Sequence, residues 1–527
     1  MPRRARVLLA LVALLPACSK RAAPYADRVY APPSPTMAQP QPAPAEAPTS
    51  ESYARIAENA FKRTTDDPRS TFSVDVDTAS YSNVRRFLED GQLPPPDAVR
   101  LEELINYFTY AYPEPTGPDP FSVTTEVAPC PWNDRAKLVQ IGLKGKSLAA
   151  AALPPRNLVF LLDVSGSMMS LDKLPLVKRA LAMLTAELRP QDSIGIVVYA
   201  GAAGVVLEPT SDRDAILAAL ERLEAGGSTH GSAGIEAAYA LAERAFRKGG
   251  INRVILATDG DFNVGPSSPG ALERLIEDKR KTGVFLSVFG FGTGNLQDAT
   301  METLADKGNG NYAYIDSLIE ARKVLVEQAG GTLVTIAKDV KLQVEFNPTK
   351  VGAHRLVGYE NRILAHSDFN DDRKDAGEIG AGHTVTALYE IVPPGDASAI
   401  PGADALRYQQ PAAPKSAAAS DELLQVQLRY KQPEADTSQL VVTRVTDAVK
   451  PTPSADLRFA AAVAMFGMKL RGSEHAKSVR YAQIRRLAEG ALGPDPNGWR
   501  RGFLALVAAA ARLQNEPLDA PAAVVAD

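Results

Sequence analysis

The chain of 527 residues carries 62 acidic and 58 basic side chains, a formal net charge of −4, with 45% apolar and 23% charged residues. That length accommodates about two to four domains, and most of the composition can bury a core. The near balance of charge leaves no basic footprint, so no nucleic-acid partner is expected.

The chain opens "MPRRARVLLALVALLPACSK". Arg3, Arg4 and Arg6 form a basic region, and Val7 to Leu15 is an apolar run too short to span a bilayer stably. Its end, "LPAC", resembles a bacterial lipoprotein signal, which implies cleavage before Cys18 and a lipid on that residue; an ordinary secretory signal cut nearby is the alternative. Ser19, not Asp, follows Cys18. By the same resemblance this favours the outer membrane, on its periplasmic face, over the inner membrane. With Cys18 acylated, Cys130 has no disulfide partner and reads as a buried or idle thiol. No later run reaches the ~18 uninterrupted apolar residues of a membrane span, so the lipid is the only membrane attachment expected.

After the signal (1–18), residues 19–50 contain eight prolines and little to bury. They read as a disordered tether, reaching up to ~100 Å at about 3.1 Å per residue. Residues 51–150 read as a helical region followed by strands. Helical spacing is seen in "YARIAENAFKR", "SYSNVRRFLEDG" and "DAVRLEELINYFTYAY". "FSVTTEVA" (121–128) and "KLVQIGLKG" (137–145) read as strands. Residues 151–331 alternate continuous apolar runs ("NLVFLLD", "SIGIVVYA", "RVILATD", "VFLSVFGF") with helical stretches. This pattern predicts an α/β unit, a doubly wound, mostly parallel sheet covered on both faces. Residues 332–450 are β-rich, with a Pro/Ala-rich loop near 400–420, and 451–520 return to helix. Strand-like runs thus flank the α/β unit, and we expect 121–146 and 332–447 to form a β-sandwich into which it is inserted.

The stretch "LVFLLDVSGSMMSLDK" (158–173) places Asp163, Ser165 and Ser167 on the turn at the end of a buried strand. That carboxyl edge is where open α/β sheets bind ligands, and Gly166 permits the tight turn. Carboxylates and hydroxyls are hard donors, suited to Mg²⁺, Mn²⁺ or Ca²⁺ rather than Zn²⁺. Two other strand ends offer more oxygen: Thr229 in "AGGSTHGSAG" and Asp259 in "VILATDGDFNVG".

D-x-S-x-S, a later loop threonine and a later T-D-G aspartate resemble the metal-ion-dependent adhesion site (MIDAS) of von Willebrand factor type A (VWA) domains. The resemblance covers about 157–330. It implies that Ser165, Ser167 and Thr229 give hydroxyl ligands to the cation, that Asp163 and Asp259 bind directly or through water, and that a carboxylate of a protein partner completes the coordination. "FSVDVDTASYSNVRRFL", "FGFGTGNLQDATMETLADKGNGNYAYID" and "DAGEIGAGHTVTALYEI" extend the likeness to a bacterial envelope lipoprotein family with a VWA domain and a C-terminal domain of unknown function.

Other motifs are weaker. A serine nucleophile needs a base, and beyond His230 none is suggested; no G-x-S-x-G elbow is present. Asp75 and Asp77 in "FSVDVDTAS" resemble a phosphatase D-x-D start but read better as a strand-end turn. "QIGLKGKS" lacks the first glycine of a phosphate loop, and "GFGTGN" is a lone glycine-rich turn, so no nucleotide is expected. "DFNDDRKDAGE" has Arg373 where a calcium loop needs glycine and reads as a solvated acidic loop. The expectation is a lipid-anchored binding protein rather than an enzyme. The alternatives are a divalent-metal hydrolase using Asp261 or His230 as base, or an assembly factor acting with a separate AAA-type ATPase.

Overall fold

Sixteen strands are formed among the described residues. They are β1 (Lys62–Arg63), β2 (Arg69–Ser73), β3 (Phe121–Pro129), β4 (Lys137–Gly145), β5 (Arg156–Asp163), β6 (Ser193–Tyr199), β7 (Ala203–Thr210), β8 (Ile251–Thr258), β9 (Phe285–Phe291), β10 (Tyr312–Ile315), β11 (Thr335–Phe346), β12 (Ala353–Val357), β13 (Gly377–Gly380), β14 (Thr384–Val392), β15 (Glu422–Lys431) and β16 (Gln439–Thr446). The computed structural model describes residues 50–200, 202–227, 231–260, 269–328, 333–396, 400 and 415–518. Cys18, Thr229, His230, Asp261, nearly all of the tether and most of the 400–420 loop lie outside them.

The strands divide into one mixed and two antiparallel sheets. The mixed sheet has the order β10-β9-β8-β5-β6-β7, parallel except for the edge strand β7. From β5 the chain runs to β6 and β7 on one side, then crosses to β8 on the other. The order therefore reverses beside β5, and the ends of β5 and β8 flank that switch point. Both faces of β5 are dry. Leu158, Phe160 and Leu162 pack with Val177 and Leu181 of α3 (Leu174–Ala186) and Ile216 of α4 (Arg213–Glu221). Val159 and Leu161 pack on the opposite face with Ile235 and Tyr239 of α5 (Gly231–Arg244) and Ile276 of α6 (Pro269–Arg280). Burial on both faces is what a continuous apolar strand requires.

The antiparallel sheets have the orders β1-β12-β14-β4-β3 and β13-β11-β15-β16, with β2 added to β11. β14 pairs with β4 along its length, so segments before and after the α/β unit share one sheet. Val139, Ile141 and Leu143 of β4 lie in one core with Leu342 and Val344 of β11 and Val426 and Leu428 of β15. The α/β unit is therefore inserted into a two-sheet β-structure.

After α8 (Leu318–Arg322), three C-terminal helices, α9 (Ala455–Arg471), α10 (Tyr481–Glu489) and α11 (Trp499–Leu513), cover this body with α1 (Ala79–Glu89) and α2 (Leu101–Asn106). Gly467 of α9 lies against Leu101 and Leu104 of α2, where an added Cβ would come within 2.5 Å of Leu101. Phe459 and Phe466 meet Phe503 edge to face at 5.5 and 5.2 Å. No described helix is long and apolar enough to cross a membrane.

The N-terminal region departs from the helical expectation. Residues 53–61 are not helical, and strands β1 and β2 follow them. Tertiary hydrogen bonds hold this segment open. The Ile56 N–H donates to Asp97, and the Asn59 amide donates to the carbonyls of Leu356 and Gly358. A short amphipathic run has little helical stability of its own to set against such contacts. Likewise only Leu101–Asn106 of "DAVRLEELINYFTYAY" is α-helical.

The seam between the α/β unit and the body is built from buried charge. Arg362 bonds Asp75 (3.2 Å), Asp77 (3.3 Å), Glu302 (3.1 Å) and Asp306 (2.5 Å). Arg100 pairs with Glu103 and with Asp298 of α7 (Asp298–Lys307). Asp75 and Asp77 do form the expected strand-end turn, the Asp77 N–H donating to Asp75 Oδ1 at 2.8 Å. Asp77 also accepts from the Tyr312 N–H on β10 at 2.8 Å, which ties that turn to the α/β sheet.

Candidate metal centre

Asp163 ends β5 and is fully buried. The apolar run before it needs the sheet interior, so the carboxylate is delivered to the sheet's carboxyl edge. Its Oδ1 accepts the Ser165 N–H at 2.8 Å, closing the turn. Its Oδ2 accepts the Tyr199 hydroxyl from β6 and the Thr258 hydroxyl from β8, each at 3.1 Å. One carboxylate thus bonds to both strands flanking its own. Burial pushes its carboxyl above the usual range against the pull of the Ser165 hydrogen bonds, and the nearby Asp259 charge adds to the rise.

The serines follow on a short 3₁₀ turn. Ser165 is buried, Ser167 is exposed, and their hydroxyl oxygens lie 3.0 Å apart. The Gly166 N–H donates to the Gly227 carbonyl at 3.1 Å and the Gly226 N–H to the Val164 carbonyl at 2.7 Å. The loop that leads to Thr229 is therefore fastened to the serine turn, although Thr229 itself lies outside the described residues.

Asp259 follows β8 and is also fully buried. Burial alone would push its carboxyl up. Hydrogen bonds from Asn295, Lys173 and Ser167, with the Lys173 charge, outweigh burial and hold it below the usual carboxylate range. Gly260 makes the close approach possible. It has φ +100°, and a Cβ there would lie 2.6 Å from the Gln297 nitrogen.

The structure brings Asp163, Ser165, Ser167 and Asp259 to one point. Two hydroxyls and a carboxylate meet there, Ser167 alone of the four residues being exposed, with the second carboxylate supporting the turn from below. These donors fit a hard, oxygen-seeking cation such as Mg²⁺, Mn²⁺ or Ca²⁺.

Lys173 and Asn295 escaped the sequence reading. The Lys173 ammonium donates to Asp259 Oδ2 at 2.9 Å and to Asn295 Oδ1 at 3.0 Å. Asn295 sits in the glycine-rich turn "GFGTGN"; its partners come from sequence positions too distant for any motif to join. That turn is held by the first described residues. The Ser50 N–H donates to Gly294, the Ser52 N–H to Leu296, and the Gly294 N–H to the Glu51 carboxylate.

Comparisons with known proteins agree with this architecture. Residues 158–261 match a family profile described as von Willebrand factor type A domain. Residues 47–140 match one described as von Willebrand factor, and 331–513 match one described as Uncharacterized protein YfbK, C-terminal. YfbK of Escherichia coli (strain K12) is 45% identical over 464 residues, covering 86% of this chain and 80% of that protein. The chain belongs to the YfbK family. A second relative, a UPF0353 protein of Mycobacterium ulcerans (strain Agy99), is 29% identical over 200 residues, covering 33% of this chain and 60% of its own length. Among solved structures, a von Willebrand factor type A protein from Catenulispora acidiphila aligns with TM-score 0.39 and 18% identity, covering 72% of this chain and 89% of its own. BatB from Bacteroides thetaiotaomicron aligns with TM-score 0.29 and 22% identity, covering 33% and 97%. The YfbK-family chain thus joins a VWA domain to the YfbK C-terminal domain, and the latter profile spans β11 to α11.

Proposed function

We propose that this YfbK-family chain is a lipid-anchored envelope protein whose VWA domain binds a protein partner through a divalent cation. The observation that carries the reading is the convergence of Asp163, Ser165, Ser167 and Asp259 at the switch point of the sheet. Ser165, Ser167 and Thr229 would hold the ion by their hydroxyls, with Asp163 and Asp259 acting directly or through water. A bound Mg²⁺ would supply an exchangeable position for an incoming carboxylate. The chain itself fixes the serine turn through Asp163 and screens the carboxylates from bulk water.

The rim supports a macromolecular partner. Met169 and Leu171, just past the serine turn, are 68% and 86% exposed. Two large apolar side chains held in water beside a polar site suit a protein surface that covers both. The lipid on Cys18 and the proline-rich tether would let the domain reach that partner away from the bilayer. The function proposed is binding rather than catalysis.

The test is isothermal titration of the purified chain with Mg²⁺ and Mn²⁺, beside Asp163→Ala and Asp259→Ala. The wild type is expected to bind, and each variant to lose at least a hundredfold in affinity. Equal affinity in all three ends the metal reading. Separately, Cys18→Ser should move the chain from the membrane to the soluble fraction.

A further inference from the structure

Lys173 is placed with unusual care for a lysine. It stands immediately before α3 and is only 7% exposed. Its stem crosses Gly292, a residue with φ +73°, where an added Cβ would lie 2.2 Å from Lys173 Cγ. No side chain fits at 292 while the lysine keeps this course. The ammonium ends between Asp259 Oδ2 at 2.9 Å and Asn295 Oδ1 at 3.0 Å. Asn295 and Ser167 both bond Asp259 as well, so the lysine shares its carboxylate with one of the hydroxyl donors.

This matters because of the charge it brings. Among the described residues at the site, Asp163 and Asp259 carry the negative charge and Lys173 the positive charge. Two ionised carboxylates alone would neutralise a divalent ion. Counted over these described residues, the ammonium leaves the loaded site one surplus positive charge in a partly desolvated setting, where charge is weakly screened. The ammonium also competes with the ion for Asp259.

We propose that Lys173 is a resident counter-ion that weakens cation binding and makes the loaded site selective for an acidic ligand. The inference rests on the reading of this edge as a divalent-cation site. It adds that the affinity for the ion is held down by the chain itself, and that the preference for the incoming carboxylate depends on the Lys173 charge. A partner offering a neutral oxygen, such as a serine or an amide, would leave the positive charge unmatched.

The experiment uses the purified full chain, Lys173→Met, Lys173→Gln and Lys173→Arg. Methionine keeps an apolar stem over Gly292 without the charge, glutamine keeps a polar end for Asn295, and arginine keeps the charge. Circular dichroism melting identifies the folded variants. Mn²⁺ affinity is measured by titration, and acetate binding to the Mn²⁺-loaded protein by water-proton relaxation. Lys173→Met and Lys173→Gln are expected to bind Mn²⁺ at least tenfold more tightly and acetate at least fivefold more weakly; Lys173→Arg should stay within threefold of wild type in both. If the neutral variants bind Mn²⁺ no better than wild type, or hold acetate as well, the inference is wrong. In that case the metal reading survives provided wild type binds and Asp259→Ala does not. If neither wild type nor the neutral variants bind Mn²⁺, the metal reading fails and the inference falls with it.

Discussion

Two regions of this molecule gather carboxylates, and they use them in opposite ways. At the switch point, Asp163 and Asp259 are buried beneath two hydroxyls, one of which, Ser167, reaches solvent. At the seam, Asp75, Glu103 and Glu302 each place an oxygen within 4.8 Å of the others, and all three are buried. There Arg100 and Arg362 supply the positive charge, each held by several acids. A carboxylate cluster closed by guanidinium groups is a structural joint. A smaller one mixed with hydroxyls, open on one side and, among the described residues, met by one lysine, has the features proposed above for a ligand site. Acidic density by itself distinguishes neither.

The strongest way to break this contrast is to remove a seam cation. Arg362→Ala leaves Asp75 and Asp77 without their guanidinium in a dry setting, with Glu302 beside them, and should cost about 3–5 kcal/mol of stability, read by urea denaturation. A loss below about 1 kcal/mol would show that the seam is hydrated and not a joint.

A second probe is pH. Burial first, then Glu360 and Asp75, raises Glu102 to about 7; burial outweighs the Arg100 charge and, with Asp75 and Glu302, raises Glu103 to about 8. Both groups keep their protons in the fold over a range where the unfolded chain, titrating near 4.5, has lost them. Their contribution is therefore fully present below pH ~4.5 and is lost as pH rises through about 7 to 8. Measured against Glu103→Gln, the chain should lose thermal stability as pH is raised from about 5 to 8; buried His354 and His383, held down to about 4, push the other way in both. Glu103→Gln should flatten the slope, and an unchanged slope would remove Glu103 from this account.

Smaller effects test the switch point. Tyr199→Phe deletes one hydrogen bond to Asp163. It should cost about 1 kcal/mol of stability, measured by denaturant titration. No loss at all would mean that Thr258 and Ser165 suffice to hold the carboxylate. The smallest effect is expected at Cys130. It is a free thiol buried in the helical core, and burial, followed by the Glu390 charge, pushes it well above the usual thiol range. A thiol reagent should leave it unmodified in the native chain and label it in denaturant; rapid native labelling would contradict that packing.

Much of the site was legible because its parts are punctuated. An apolar strand that stops at an aspartate, as β5 does at Asp163 and β8 just before Asp259, marks a sheet edge whatever its neighbours are. Residues 53–63 are not helical for the converse reason. Their spacing is helical, but Asp97, Leu356 and Gly358 supply partners for their polar groups, and none of them is near in sequence. The reading of Asp75 and Asp77 as a turn was correct locally, yet gave no sign of Arg362, which is nearly three hundred residues away.

Apolar periodicity and turn chemistry are local properties, so the α/β alternation, the strand ends and the oxygen donors are legible along the chain. What stands beside those donors depends on how the distant elements pack. Lys173 and Asn295 reach Asp259 through the order of strands and the stacking of loops. The difference between a closed joint and an open site lies in which distant cations arrive, and charges separated along the chain meet only once the sheets and helices have packed.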